Sequence, residues 1–129
     1  MANTVTQRTL VGGGDDKNII RLIHIVSDGT EEADLVIYDN SAFIANTAKG
    51  RLDQVMVMGD AGVLRLEWDQ TTDSPALSLN ASNGTHFDFR PFGGIGNPNG
   101  TGATGDLLLT TAALDNLDEV TIIIHVSQN

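Results

Sequence analysis

Hydrophobic and polar residues alternate along most of this chain with a period of two. Leu64, Leu66 and Trp68 are interleaved with Arg65, Glu67 and Asp69, and Phe87 and Phe89 with His86, Asp88 and Arg90. Successive side chains of a strand point to opposite faces, so the pattern predicts strands with one buried side. Residues 120–127 place Val120, Ile122, Ile124 and Val126 on one face and Thr121, Ile123, His125 and Ser127 on the other, as expected of a central, largely covered strand. Residues 18–27 behave alike, with Ile19, Ile23 and Ile25 opposite Ile20, Leu22 and Val26, and with Arg21 and His24 breaking the apolar pattern. Shorter aliphatic runs at 35–38, 54–58, 76–79 and 107–111 bring the expectation to about eight or nine strands.

Between the runs lie Asp28-Gly29, Gly59-Asp60-Ala61-Gly62 and Asn83-Gly84, residues that tolerate the backbone angles of a chain reversal. The second and third of these predict hairpins. No window of helical length carries an i, i+3, i+4 apolar pattern with caps, which leaves room only for single turns at 41–48 and 111–117. Many short strands with glycine-rich separators indicate an all-β, antiparallel β-sandwich of jelly-roll-like type. The expected organisation is an extended N-terminal arm and glycine hinge at 1–16, then a single sandwich domain at 17–129. The alternative for residues 4–11 is an edge strand of the chain's own sheet. Residues 93–105, rich in Gly, Asn, Thr and Pro, read either as a loop that reaches a neighbour or as a solvated connection.

The 129 residues, 40% of them hydrophobic, suffice for one core and not for two. Seven basic residues against 17 acidic ones give a net charge of −10, which disfavours direct contact with nucleic acid or an anionic membrane. There is no cysteine, so disulfides, thiol nucleophiles and thiolate metal sites are excluded together. The first residues lack the apolar core of a signal peptide, and no run approaches the roughly 20 apolar residues of a membrane span, so synthesis and folding in a cytoplasm are expected.

Catalytic, cofactor and metal motifs are each better explained otherwise. Gly100-Thr101-Gly102-Ala103-Thr104-Gly105 matches G-x-G-x-x-G in form, yet it leads into the strand-like run 106–111, where a dinucleotide site needs a helix. Gly12-Gly13-Gly14 lacks the Gly-Lys-Ser/Thr ending of a phosphate loop and is followed by Asp15 and Asp16. The acidic run 28–34 could offer oxygen ligands to calcium, but its spacing fits no EF-hand and a solvated hairpin tip is the plainer account; Asp69 and Asp73 are discounted likewise. His24, His86 and His125 lack ligand spacing and read as hydrogen-bonded core or sheet-face residues. No serine sits in a Gly-x-Ser-x-Gly elbow and no pair of carboxylates stands out as acid and base, so no catalytic residue, cofactor or metal ligand is assigned. Trp68, in phase with Leu64 and Leu66, reads as core. Arg90-Pro91 ends a strand and leaves Phe92 exposed at an edge, the expected mark of a contact surface.

Taken together, the segment Thr4-Val5-Thr6-Gln7-Arg8-Thr9-Leu10, the run 16–25, Leu64-Arg65-Leu66-Glu67-Trp68-Asp69, the Gly-Asn-Thr loop and the terminal isoleucine-rich strand resemble small virion proteins of tailed bacteriophages. The resemblance is to the β-sandwich head-decoration, or capsid cement, class. It implies a non-enzymatic protein on the capsid exterior, assembled in the host cytoplasm, which binds between major capsid proteins and stabilises them. It also implies a homo-oligomer, dimer or trimer. Candidate assembly residues are Arg8, Leu10 and Val11 on the arm, with Phe92 and Ile95 beside the glycine-rich loop. The alternatives are another virion component of tail, fibre or collar, and a ligand-binding or hydrolytic jelly-roll domain.

Overall fold

The computed structural model describes residues 3–12, 18–40, 50–60, 62–98 and 100–128. The strands are β1 (Thr4–Val11), β2 (Asn18–Asp28), β3 (Leu35–Tyr38), β4 (Gly50–Gly59), β5 (Val63–Trp68), β6 (Ser74–Asn80), β7 (Thr85–Asp88), β8 (Ile95–Gly96), β9 (Leu107–Ala112) and β10 (Asn116–Gln128). They pair antiparallel in two sheets. The larger sheet has six strands in the order β1-β2-β10-β4-β7, with β8 also on β4, and the smaller has four in the order β3-β9-β5-β6. Among the described residues there is no α-helix, only short 3-10 turns such as Ala81–Asn83 and Arg90–Phe92.

The period of two explains the arrangement. Ile19, Ile23 and Ile25 of β2, Val120, Ile122, Ile124 and Val126 of β10, and Val55 and Val57 of β4 line the inner face of the large sheet. Leu64, Leu66 and Trp68 of β5 and Leu107 and Leu109 of β9 line the inner face of the small one. All are essentially inaccessible to water and belong to one cluster, so the two sheets share a single core and the chain is a β-sandwich. Trp68 is a core residue, as its phase predicts, although its indole N–H has no hydrogen-bond partner.

Arg21 occupies a position where its strand points inward, and its surroundings show how the core tolerates it. Its Nε donates to the Ile37 carbonyl of β3 at 2.7 Å, while its terminal nitrogens donate to Thr9 Oγ1 at 2.8 Å and Gln7 Oε1 at 2.9 Å on β1. One guanidinium therefore joins the rims of both sheets. Burial lowers its pKa, and Asp39 opposes that effect. A planar guanidinium with donors in a fixed fork suits such a three-way joint better than a lysine would.

Both predicted hairpins are corrected. The Gly59–Gly62 corner carries the chain from β4 in the large sheet to β5 in the small one, and the Asn83-Gly84 corner carries it back from β6 to β7. Turn chemistry specifies that a chain reverses, not which sheet its next strand joins. At the first corner Gly62 has φ +112°, and a Cβ there would lie 2.6 Å from Leu114 Cδ2, so a side chain is excluded twice over. Consecutive strands that do pair within one sheet are β1 with β2, and β5 with β6 across 69–73, a connection that contains no glycine.

The 111–117 segment is also not a helical turn: it ends β9 and enters β10 through Ala113 and Leu117, both in the left-handed region, with Leu114 buried between them. The expectation at 41–48 and most of the glycine hinge, 13–16, lie outside the described residues. Thr4–Val11 takes the alternative left open for it. It is the edge strand β1, paired to β2 from Thr4↔Val26 to Val11↔Ile20, with an irregularity between Thr9 and Val11. Arg21 holds it there through Gln7 and Thr9.

Removing the inner-row side chain with Ile122→Ala is expected to cost about 2–5 kcal/mol in urea denaturation, because the rigid core collapses only partly around the cavity. Ile123→Ala, one residue on but facing outward, is expected to cost clearly less in the same measurement.

Candidate functional site

The outer faces of the two sheets differ in chemistry. On the large sheet, pairing registers align Thr6, His24, Thr121 and Met58 in one row across β1, β2, β10 and β4. The next row is Arg8, Leu22, Ile123, Met56 and His86, and the one after holds Ile20, His125, Gln54 and Asp88. The middle of this face is apolar, with Met58 67% and Met56 42% exposed. Three acidic residues stand on these strands' outer positions, Asp28, Glu119 and Asp88, each at a margin and each engaged: Asp28 with the Thr30 hydroxyl at 2.6 Å, Glu119 with His24 at 3.2 Å, Asp88 with Arg90 at 2.8 Å. In a chain carrying 17 acidic residues this is an acid-poor face.

All three histidines lie on it, which the one-dimensional spacing could not reveal. His86 Nε2 lies 3.0 Å from Gln54 Oε1, Gln54 Nε2 lies 3.2 Å from His125 Nδ1, and His125 Nε2 lies 2.9 Å from Asn18 Oδ1. The amide of Gln54 donates to Nδ1 of His125, so His125 carries its proton on Nε2 and donates it to Asn18. His86 in turn donates from Nε2 to Gln54. The contacts thus form a one-way chain across β7, β4, β10 and β2. Ile20, Gln54, Met56, His86, Ile123 and His125 surround a hollow of about 120 Å³. That is well below the few hundred Å³ of an ordinary small-molecule pocket.

The small sheet presents the opposite character. Asp34, Glu67 and Asp73 converge there, with carboxylate oxygens within 4.8 Å of one another. Burial raises the Glu67 pKa, reinforced by Asp73 and Asp34 and only partly offset by Arg65. Asp34, just before β3, and Asp73, just before β6, are members of two acidic stretches far apart in sequence that meet here beside Glu67 of β5. Such a cluster could in principle ligate a hard cation, but exposed carboxylates also cluster with no ion.

The rest of the acidic run is not a hairpin tip, since it crosses from β2 to β3 between sheets. Its side chains are also put to structural use. Glu31 accepts hydrogen bonds from Thr111 Oγ1 and the Leu114 N–H, at 2.9 and 3.0 Å. Glu32 accepts one from Asn3 at 2.7 Å, and Asp28 accepts two from Thr30. The Thr30 hydroxyl is the main reason the Asp28 pKa is lowered.

The residues proposed for assembly do not form one surface. Arg8, Leu10 and Val11 are exposed on β1 at one edge of the large sheet. Phe92, 83% exposed in its 3-10 turn, follows β7 at the opposite edge. Ile95 pairs with Leu52 as part of β8 and packs partly buried against the core. The glycine-rich loop is anchored within the chain: Gly100 N–H donates to Gln70, Thr71 N–H to the Thr101 carbonyl, and Thr104 Oγ1 to Asp69 at 2.7 Å. Gly100–Gly105 leads into β9, a strand, as its context predicted.

No protein-family model matches the chain, and no curated protein matches it as a relative. Fold and surface define it as an antiparallel β-sandwich with one acid-poor, histidine-bearing sheet face and one acidic face. Among the described residues no helix is long and apolar enough to cross a membrane.

The electrostatics of the acidic cluster predict a specific pH response. Because folding raises the Glu67 pKa above 4.5, its contribution to stability is fully present below that value and is lost as pH rises through the folded-state pKa. Glu67→Gln is therefore expected to flatten the decline of stability across that window, measured by denaturation at a series of pH values. Asp73→Asn is expected to lower the Glu67 pKa in a carboxyl NMR titration.

Proposed function

We propose that this protein is a non-enzymatic structural component of a bacteriophage virion, with a jelly-roll fold, that decorates the capsid by docking between major capsid proteins. The wiring supports the jelly-roll reading. With β1 set aside, β2-β10-β4-β7 faces β3-β9-β5-β6, and the chain changes sheet at β2–β3, β3–β4, β4–β5, β6–β7, β8–β9 and β9–β10. This order agrees with the double Greek-key pattern of two four-stranded sheets, used in viral capsid domains among others. The resemblance of the arm, the tryptophan strand and the isoleucine-rich strand to head-decoration proteins points the same way.

The observation that carries the reading is the acid-poor face of the large sheet. Exposed Met56 and Met58, with Leu22 and Ile123 beside them, form an apolar band flanked by polar side chains, while the bulk of the negative charge lies elsewhere. Methionines adapt to irregular partner surfaces, and apolar bands with polar rims characterise protein contact sites. A rigid sandwich presenting such a face suits binding to a repeated lattice.

The test is cosedimentation with undecorated capsids and localisation of the labelled protein on intact particles. The double variant Met56→Glu, Met58→Glu is expected to load about tenfold less than the parent chain while keeping its thermal unfolding midpoint. Full loading by that variant would move the docking surface elsewhere. Label on the tail would reassign the protein to another part of the virion, and recovery only as free protein in the host cytoplasm would overturn the virion reading.

A further inference from the structure

The exposed strand edges of this sandwich are unequally protected. In the small sheet, edge strand β3 is four residues long and irregular between Val36 and Tyr38, and edge strand β6 contains Pro75. On the far side of the large sheet, β7 has four residues and β8 two, with Pro91 between them. Short strands, irregularities and prolines are the usual means of preventing strand-to-strand association. β1 has none of them over Thr4–Thr9: it is regular there, contains no proline, and no strand lies beyond it among the described residues.

Charge narrows the choice of partner. Self-association of a chain with net charge −10 is opposed at most surfaces, but β1 carries no acidic residue and one cation, Arg8. Side-chain parity narrows it further. Val5, Gln7 and Thr9 face inward and Thr6 and Arg8 outward, so two copies related by a two-fold axis must pair inner with inner and outer with outer. A register centred on Arg8 would set two guanidiniums directly opposite, which is destabilising. A register centred on Gln7 sets Gln7 against Gln7 of the second copy, Thr6 against Arg8 and Val5 against Thr9, with no like charges opposed. It also keeps within Val5–Thr9, short of the irregularity at Leu10.

We propose that a second copy of this chain pairs antiparallel along β1, with the two-fold axis at Gln7, joining the two six-stranded sheets edge to edge. This goes beyond the capsid reading and does not depend on it, since dimerisation is measured on the free protein. Arg21 prepares the interface by fixing Gln7 and Thr9 from within, so β1 meets its counterpart already ordered.

The chain has no cysteine, so single-cysteine variants report the register directly. Residues directly opposite in an antiparallel pair have Cα atoms about 4.5–5.5 Å apart, within the span of a disulfide. Under mild oxidation Gln7→Cys is expected to form a covalent dimer about tenfold faster than Met58→Cys on the sheet face, and faster than Arg8→Cys. On the unaltered chain, analytical ultracentrifugation is expected to give twice 13.7 kDa, and hydrogen exchange is expected to protect every amide from Val5 to Thr9, including those directed away from β2. A monomer at the highest soluble concentration with alternate β1 amides exchanging freely would overturn the proposal. So would protection of those amides that appears only on capsids, because β1 would then pair with a capsid protein. Fastest cross-linking at Arg8→Cys would refute the Gln7 register.

Discussion

The structure depends on burying the inner rows of two sheets against each other. Val120, Ile122, Ile124 and Val126 of β10 lie at the centre of that contact, flanked by β2 and β4 and faced by the leucines of β5 and β9. Every other feature is arranged around this dry layer. Two charged side chains that intrude, Arg21 and Asp53, are each given partners. Arg21 binds a carbonyl and two side chains, and Asp53, the extra residue of a β4 irregularity, is bonded by Arg51 at 3.1 Å. An unpaired buried charge costs far more than a paired one, which is why these residues carry partners.

The two outward faces are free of that constraint, and there the sequence could vary toward function. Negative charge collects on the small sheet and at the loops, where like-charged neighbours such as Asp34, Glu67 and Asp73 raise a carboxyl pKa. The large sheet instead carries methionine, leucine, isoleucine and histidine on its outer side. Segregating charge in this way keeps a protein soluble through one surface while leaving another able to make close contacts.

Much of the fold was legible from the alternation of residue types, because period two translates directly into inside and outside. The strands at 18–27, 64–68 and 120–127 and the core position of Trp68 were all readable in this way. The topology was less legible. Gly59–Gly62 and Asn83-Gly84 signal reversal, and nothing local distinguishes a hairpin from a corner that changes sheet. The candidate face was hidden for a related reason: His86, Gln54 and His125 come from three strands far apart in sequence, and only the registers on β4 bring them together. Glu31 and Glu32 looked like solvated charges because a carboxylate's use as a structural hydrogen-bond acceptor leaves no composition signal.

The placement of β10 has a consequence for how the protein is made. It is the last strand in order along the chain, yet it separates β2 from β4 in the finished sheet. While residues 116–128 are still within the ribosome, β2 and β4 have no native neighbour between them and their isoleucine- and valine-rich edges stand open. The large sheet can close only after translation has passed that segment. Contacts this distant in sequence fold slowly and leave strand edges exposed in the meantime.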